Sequence, residues 1–146
     1  MSKTEKPSAK KAAKPAAPAS AGLAAKWKTT PATHDYPAAA SYLSLITDAE
    51  RVSDLVERLK KAPVVTHKAK DILRGGKLDL LKMDNPHVKE DLRKIAQGIA
   101  LSPVLIVRGD MFSGLPLQIA DGYHRVCASY HLDENTDIPA RIINLV

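Results

Sequence analysis

The sequence lacks the features that mark disulfide-rich secreted proteins and membrane-spanning proteins. It contains one cysteine, Cys127, among 146 residues, so it forms no internal disulfide, which fits a reducing compartment. It has no apolar run long enough to cross a bilayer. The basic N-terminus is not followed by the apolar segment that a secretory signal needs. We therefore expect a cytoplasmic protein with no membrane partner.

Net charge is also missing from most of the chain. Residues 1–28 contain seven lysines and one acid, Glu5, and this surplus equals the whole net charge of +6. Residues 1–35 are rich in Lys, Ala, Pro and Ser and have little apolar surface to bury, so we predict that they are disordered. This basic tail is either a solubilising segment or a row of lysines that contacts nucleic-acid phosphates without reading sequence.

Helical patterns dominate residues 36–76. The stretch "YPAAASYLSLI" predicts a short helix with Pro37 near its first turn. Thr47 and Glu50 form a capping box, and the apolar residues that follow recur at i, i+3, i+4 and i+7, which predicts a second helix. A third short helix is predicted after an N-cap at Thr66. We interpret this segment as a helical lead-in to the rest of the chain.

Residues 77–146 alternate between strand and helix patterns. "KLDLL" predicts a short strand, and "DNPHVKEDLRKIAQG" predicts a turn and then a helix with Val88, Leu92 and Ile95 facing inward. "PVLIVRGD" and "LPLQIAD" predict two strands that pair as a hairpin. "GYHRVCASYHL" has a helical period, and "IPARIINLV" predicts a closing strand. The predicted fold class is α+β, with a small mixed sheet and flanking helices.

Reactive side chains are concentrated at the predicted strand-to-helix turn in "QIADGYHRVCASYHL". Gly122 allows a sharp turn at φ values that other residues avoid. The first turn of the following helix presents unpaired N–H groups and the positive end of the helix dipole, which together attract anions. Arg125 can add a bidentate phosphate contact, and His124 can donate to a phosphate oxygen. The ordinary alternatives are a salt bridge for Arg125 and a surface position for His124.

Four ordered stretches, "DNPHV", "LSPVLIVR", "IADGYHRVCA" and "IPARII", resemble the ParB/sulfiredoxin-like domain. That superfamily includes the N-terminal domain of the partition protein ParB, sulfiredoxin and a free serine kinase. The resemblance covers residues 77–146. It implies that Gly122, His124 and Arg125 hold the phosphates of ATP, ADP or CTP, with Mg²⁺ bridging those phosphates.

Neighbouring residues have candidate roles as well. The acid before the glycine resembles the serine kinase pattern, so Asp121 would be a catalytic residue that orients the acceptor or holds Mg²⁺; the alternative is that it caps the helix. Tyr123 would stack on a base or shield the site. Arg108, at the end of the preceding strand, would reach the ligand or only solvate the strand end. Sulfiredoxin activity is not expected, because Tyr123 stands where sulfiredoxin has its catalytic cysteine.

A metal site at this turn is disfavoured by the helix geometry. His124, Cys127 and His131 are spaced at i, i+3 and i+7, so the outer two are about 10 Å apart along the helix axis. A single ion cannot be reached comfortably by all three, and no metal ligands are predicted. Cys127 is predicted to be a small buried packing residue.

Two classes of function fit the sequence. The first is a ParB-like nucleotide- and phosphate-binding domain, whose reaction would be phosphoryl transfer or nucleotide hydrolysis if it is an enzyme. The second is a non-enzymatic, DNA-associated ParB-like protein, with the basic tail on the DNA backbone and the domain as a nucleotide-dependent switch or dimerisation surface. The lead-in helices would cover the pocket, bind a partner or form a homodimer.

Overall fold

A computed structural model describes residues 23–146 of the chain, which form an α+β fold and confirm the predicted class. The helices are α1 (Asp35–Leu43), α2 (Ala49–Lys61), α3 (Ala69–Gly76), α4 (Pro86–Ala96) and α5 (Tyr123–Leu132). The strands are β1 (Val64–Lys68), β2 (Val104–Val107), β3 (Gln118–Asp121) and β4 (Asp137–Ile143). A short 3₁₀ turn, Met111–Ser113, lies between β2 and β3.

The four strands form one mixed sheet in the order β1-β4-β2-β3. β2 and β4 run parallel at its centre, and β1 and β3 pair antiparallel at its two edges. β2 and β3 form the predicted hairpin. All four residues of β2, "VLIV", are buried, as expected for an uninterrupted apolar strand that is covered on both faces.

Helices cover both faces of the sheet. Side chains of successive strand residues point to opposite faces, so each central strand contributes to a core on either side. Val104 and Ile106 share one core with α3, α4 and α5. Leu105 and Val107 share the other core with α1 and α2. The result is three layers with β2 in the middle, so residues near either end of β2 can reach helices from both outer layers.

Residues 23–35 contradict the prediction that residues 1–35 are disordered. Trp27 forms a parallel β-bridge with Leu101 and packs against the core beneath α3, α4 and α5. Asp35 is the first residue of α1 and is buried. A single tryptophan supplies a large apolar area that the average composition of the segment conceals. The prediction for residues 1–22 lies outside the described residues.

The predicted helical lead-in contains a strand as well as helices. The third helix begins at Ala69 rather than after an N-cap at Thr66, because Thr66 lies within β1 and pairs with β4 opposite Pro139. Val64 and Val65 add to the β-branched run, which favours an extended chain. The segment is therefore part of the same sheet as the C-terminal half.

Two smaller predictions also need correction. Residues 77–81, which the structure describes in full, form a connection and not the strand predicted from "KLDLL". Asp48, not Thr47, caps α2, and its carboxylate accepts a hydrogen bond of 2.9 Å from the N–H of Arg51. Both Asp and Thr are common N-caps, so their order could not be read from residue type. No helix among residues 23–146 is long and apolar enough to cross a bilayer.

Candidate functional site

Charged and imidazole side chains from both outer layers meet at one end of the sheet, around Arg125. Its Nη2 lies 2.9 Å from Oδ2 of Asp121 and 3.9 Å from Oδ2 of Asp35. Next to it the rings of His87 and His124 have centroids 4.7 Å apart. The residues of this group, termed the Arg125 cluster, are Asp35 (α1), His87 and Asp91 (α4), Asp121 (β3), and Tyr123, His124 and Arg125 (α5).

Gly122 joins β3 to α5 in a conformation that needs glycine. Its φ of +113° lies in the left-handed region, and a Cβ here would be 2.4 Å from Cγ1 of Val104. Gly122 is the N-cap residue of α5, and no side chain caps this helix. The alternative in which Asp121 caps α5 is therefore wrong. The first turn of α5 keeps its N–H groups free of any side-chain cap.

A β-bulge turns the end of β3 towards α1. The pairing of β2 with β3 shifts between Leu105 and Ile106, which makes Ala120 an extra residue. Asp121 then lies close to Asp35 of α1. Burial raises the pKa of Asp121, the guanidinium of Arg125 lowers it, and the neighbouring carboxyl of Asp35 raises it again. The net effect is a carboxyl group that holds its proton to a higher pH than usual.

Arg125 is held by carboxylates on two sides. The side chains of Arg125 and Asp121 are 17% and 19% exposed, and that of Asp35 is only 3% exposed. The Nε of Arg125 is buried and has no hydrogen-bond partner among the described residues. Two roles were considered for Arg125, a phosphate contact and a salt bridge, and the salt bridge is present in the structure. A phosphate that reached Arg125 would meet an arginine already fixed in place.

The α4 side of the cluster combines an acid with a histidine pair. Asp91 lies on the inward face of α4, where burial raises its pKa and Arg125 is the largest opposing influence. Partial burial lowers the pKa of His124, the nearby His87 lowers it further, and Asp91 opposes both. The net effect is a pKa of His124 below its usual value.

Tyr123 is tethered across the site. Its hydroxyl donates a hydrogen bond of 2.6 Å to the carbonyl oxygen of Asp79, in the connection after α3. Its ring centroid lies 5.8 Å from that of His124. Burial is the main cause that raises the pKa of the Tyr123 hydroxyl. This residue therefore forms a wall beside the histidine pair.

Arg108 is not brought to the turn. β2 and β3 are antiparallel, with Leu105 opposite Asp121 and Val107 opposite Gln118, so Arg108 lies at the other end of the hairpin from Gly122. Its guanidinium donates to the side chain of Asn144 and lines a separate cavity of about 130 Å³. Of the two roles considered for Arg108, ligand contact and solvation of the strand end, the structure agrees with solvation of the strand end.

The other residues of α5 have structural partners. Cys127 is fully buried, and burial raises the pKa of its thiol, so its role as a packing residue is confirmed. His131 has Nε2 2.6 Å from the carbonyl oxygen of Leu81. Among the described residues, neither Cys127 nor His131 forms a hydrogen bond with a member of the Arg125 cluster.

Three members of the cluster were absent from the sequence-based site: Asp35, His87 and Asp91. Asp91 could have been identified from the sequence, because it interrupts the apolar face that Val88 and Ile95 define on α4. No sequence pattern indicated Asp35, since it follows a low-complexity stretch. His87 was visible only as part of "DNPHV".

Comparison of the chain with protein-family models, curated proteins and solved structures found no match. The resemblance to the ParB/sulfiredoxin-like domain therefore stays a prediction. What the protein does has to be inferred from the geometry and charges of the Arg125 cluster and of the turn at Gly122.

Proposed function

We propose that this protein binds a nucleotide or a related phosphate compound at the turn between β3 and α5. The observation that carries the proposal is the uncapped start of α5 at Gly122, with His124 and Arg125 in its first turn. Free N–H groups at a helix start, together with the helix dipole, favour a bound anion. Arg125 adds a fixed positive charge, and two carboxylates hold it in position.

The ion pair of Arg125 with Asp121 leaves donors for a ligand. A guanidinium has five N–H donors, and Asp121 uses one of them, on Nη2, at 2.9 Å. A phosphate oxygen can therefore join the pair without displacing the carboxylate. Because Asp35 and Asp121 already restrict the arginine, little side-chain entropy is lost when the ligand arrives.

The cluster fits Mg²⁺ only as part of a nucleotide complex. Within residues 23–146, no three His, Cys, Asp or Glu side chains are arranged to hold a metal ion. Mg²⁺ is commonly bound by one or two carboxylates together with substrate phosphates, and Asp121 is the carboxylate that adjoins the turn. A bound Mg²⁺ would supply charge neutralisation to the phosphates beside Asp121.

In a phosphoryl-transfer or hydrolysis reaction, Asp121 would orient the attacking hydroxyl or water. Its carboxylate adjoins the helix start, and its link to Arg125 fixes its direction. Its raised pKa brings it nearer to the range in which a carboxylate accepts a proton at neutral pH. The positive end of α5 and Arg125 would stabilise charge on the transferred group.

The test is thermal stability in the presence of ATP, ADP or CTP, each with and without Mg²⁺. A ligand that binds only the folded state adds RT ln(1 + [L]/Kd) to the free energy of unfolding and so raises the melting temperature. We expect stabilisation by at least one nucleotide, lost in His124→Asn and retained in the control His67→Asn, which lies on β1. Absence of stabilisation by every nucleotide would contradict the proposal.

A second candidate function is association with the DNA backbone, and one surface favours it. Lys68, Lys70 and Arg74 line an open groove of about 400 Å³ on the α3 side, together with Asp71. These residues would extend the contact made by the N-terminal lysines, which lie in residues 1–22 apart from Lys26 and Lys28. The second candidate also includes a cytoplasmic location and a homodimer.

A salt titration of DNA binding tests the second candidate. Deleting residues 1–22 should flatten the slope of log Kobs against log [salt], because each lysine that contacts a phosphate adds to it. The deletion should stop there, since Trp27 and Asp35 belong to the folded part. An unchanged slope would exclude the tail as the DNA contact.

A further inference from the structure

We propose that the site selects a terminal phosphate group over a phosphodiester, and that His87 of α4 binds this group together with His124 of α5. This inference rests on the proposed function, phosphate binding at the turn between β3 and α5. It extends the site onto a second helix. It also names the chemical class of the ligand, a phosphomonoester or the last phosphate of a nucleotide.

The two imidazole rings are arranged to share one phosphoryl group. Their centroids are 4.7 Å apart, their planes are tilted by 46°, and they come from different helices. Imidazole nitrogens donate to oxygens at about 2.8 Å, so two rings at this spacing can each reach a different oxygen of one phosphate. His87 is exposed and His124 is half-buried, so the gap is open to solvent on the His87 side.

The uncapped start of α5 adjoins the pair, because His124 lies in its first turn. Arg125 faces three carboxyl groups, Asp35 from α1, Asp91 from α4 and Asp121 from β3. Arg125 and the free N–H groups of this turn attract an anion, and the two imidazole rings add donors for further oxygens of the same group.

A terminal phosphate has an oxygen for each of these donors and a diester does not. A phosphomonoester has three free oxygens and carries between one and two negative charges near neutral pH. A phosphodiester has two free oxygens and one charge. A site with donors for three oxygens should therefore bind the monoester more tightly and discriminate against the DNA backbone.

The matched ligands 5′-AMP and 3′,5′-cyclic AMP isolate this difference, because they share the base and the ribose. Calorimetric titration of the full chain with each, at constant ionic strength, should give 5′-AMP about tenfold tighter binding at pH 6.5.

Substitution of the exposed histidine assigns the effect to His87. His87→Asn shortens the side chain and moves its donor away from the ligand, so it should remove the preference for 5′-AMP. His67→Asn should leave the preference unchanged, and thermal melting of each variant confirms that it is folded. A His87→Asn variant that behaves as the wild type would overturn the role of His87.

The outcomes separate this inference from the proposed function. Equal affinity for the two ligands, alongside stabilisation by a nucleotide, would overturn the selection of a terminal phosphate and leave phosphate binding in place. If neither ligand binds and no nucleotide stabilises the protein, both are overturned. Tighter binding of 5′-AMP that disappears in His87→Asn supports both.

Discussion

The turn at Gly122 and the loop at Gly114 lie at opposite ends of β3, and they differ in what they bury. At Gly122 the surrounding side chains are ionic and enclosed, with Arg125 between Asp121 and Asp35. At Gly114 the nearest large side chains are apolar and in water, with Met111 85% and Phe112 94% exposed. Both turns have a glycine in the left-handed region, so backbone geometry does not cause the difference.

The two turns are held by different kinds of interaction. The loop at Gly114 is closed locally, since Asp110 accepts hydrogen bonds from the N–H of Phe112 and from the hydroxyl of Ser113. The turn at Gly122 depends on Asp121 beside it and on residues of α1 and α4, which are distant in the sequence. Burying charges costs free energy that pairing only partly offsets, so a cluster of this kind is more typical of a site than of a structural turn.

The largest expected effect is the loss of Arg125. Arg125→Ala leaves the carboxyl group of Asp121 without a cation and that of Asp35 with only His34 beside it, so the free energy of unfolding should fall by about 3–5 kcal/mol. Arg108→Ala, at the other end of the hairpin, should cost about 0.5 kcal/mol or less, because its side chain is exposed. Urea denaturation measures both. Similar losses for the two variants would show that the Arg125 ion pairs are no stronger than a surface contact.

A glycine comparison sharpens the contrast at the level of the backbone. Gly122→Ala adds a Cβ 2.4 Å from Val104 to an unfavourable φ, so it should destabilise the fold by about 3 kcal/mol or more. Gly114→Ala adds a Cβ with nothing within 4 Å, so only the cost of its φ, about 1 kcal/mol, should remain. Denaturation of the pair checks the ranking. Equal losses would mean that the contact with Val104 relaxes easily.

Removal of a buried charge should stabilise the protein. The pKa of Asp91 is raised mainly by burial, so ionisation of this residue costs stability at pH values above its folded pKa. Asp91→Asn should therefore raise the free energy of unfolding at pH 7 by on the order of 1 kcal/mol. The gain should vanish below the unfolded pKa of about 3.9, where the carboxyl is neutral in both states. Asp84→Asn, at an exposed position, is the control; a loss of stability in Asp91→Asn at pH 7 would reverse the sign and contradict the account.

The smallest effect is expected at the tip of the hairpin. Phe112→Ser removes a ring that is 94% exposed, so the free energy of unfolding should change by less than about 0.5 kcal/mol. Thermal melting checks it. A larger loss would show that Phe112 packs against another surface in solution, and the two ends of β3 would then differ less than the structure indicates.

Local patterns predicted the elements whose signals are short-range. The buried strand "VLIV", the amphipathic face of α2 and the glycine turn before α5 were readable because each depends on residues close in sequence. The strand conformation of Thr66 could not be predicted, because it depends on pairing with the distant strand β4. Local propensity could not distinguish a helix cap from an edge strand there.

The candidate site was predictable only along β3 and α5. Gly122, His124 and Arg125 are adjacent in sequence, whereas Asp35 and His87 reach the cluster through tertiary packing. The β-bulge at Ala120, which turns Asp121 towards α1, has no signature in "QIAD". Arg108 was left with two roles, and its distance from Gly122 follows from the antiparallel pairing of β2 with β3.

The central claim, that the turn at Gly122 binds a phosphate, is tested most directly by following backbone amides during a nucleotide titration. In an NMR titration of the full chain with ADP and Mg²⁺, the amides of Tyr123, His124 and Arg125 should shift most, because they lie at the uncapped start of α5. The amides of Met111–Gly114, at the opposite end of the hairpin, should stay in place. Shifts confined to those loop amides, or no shifts at saturating ADP, would contradict the account.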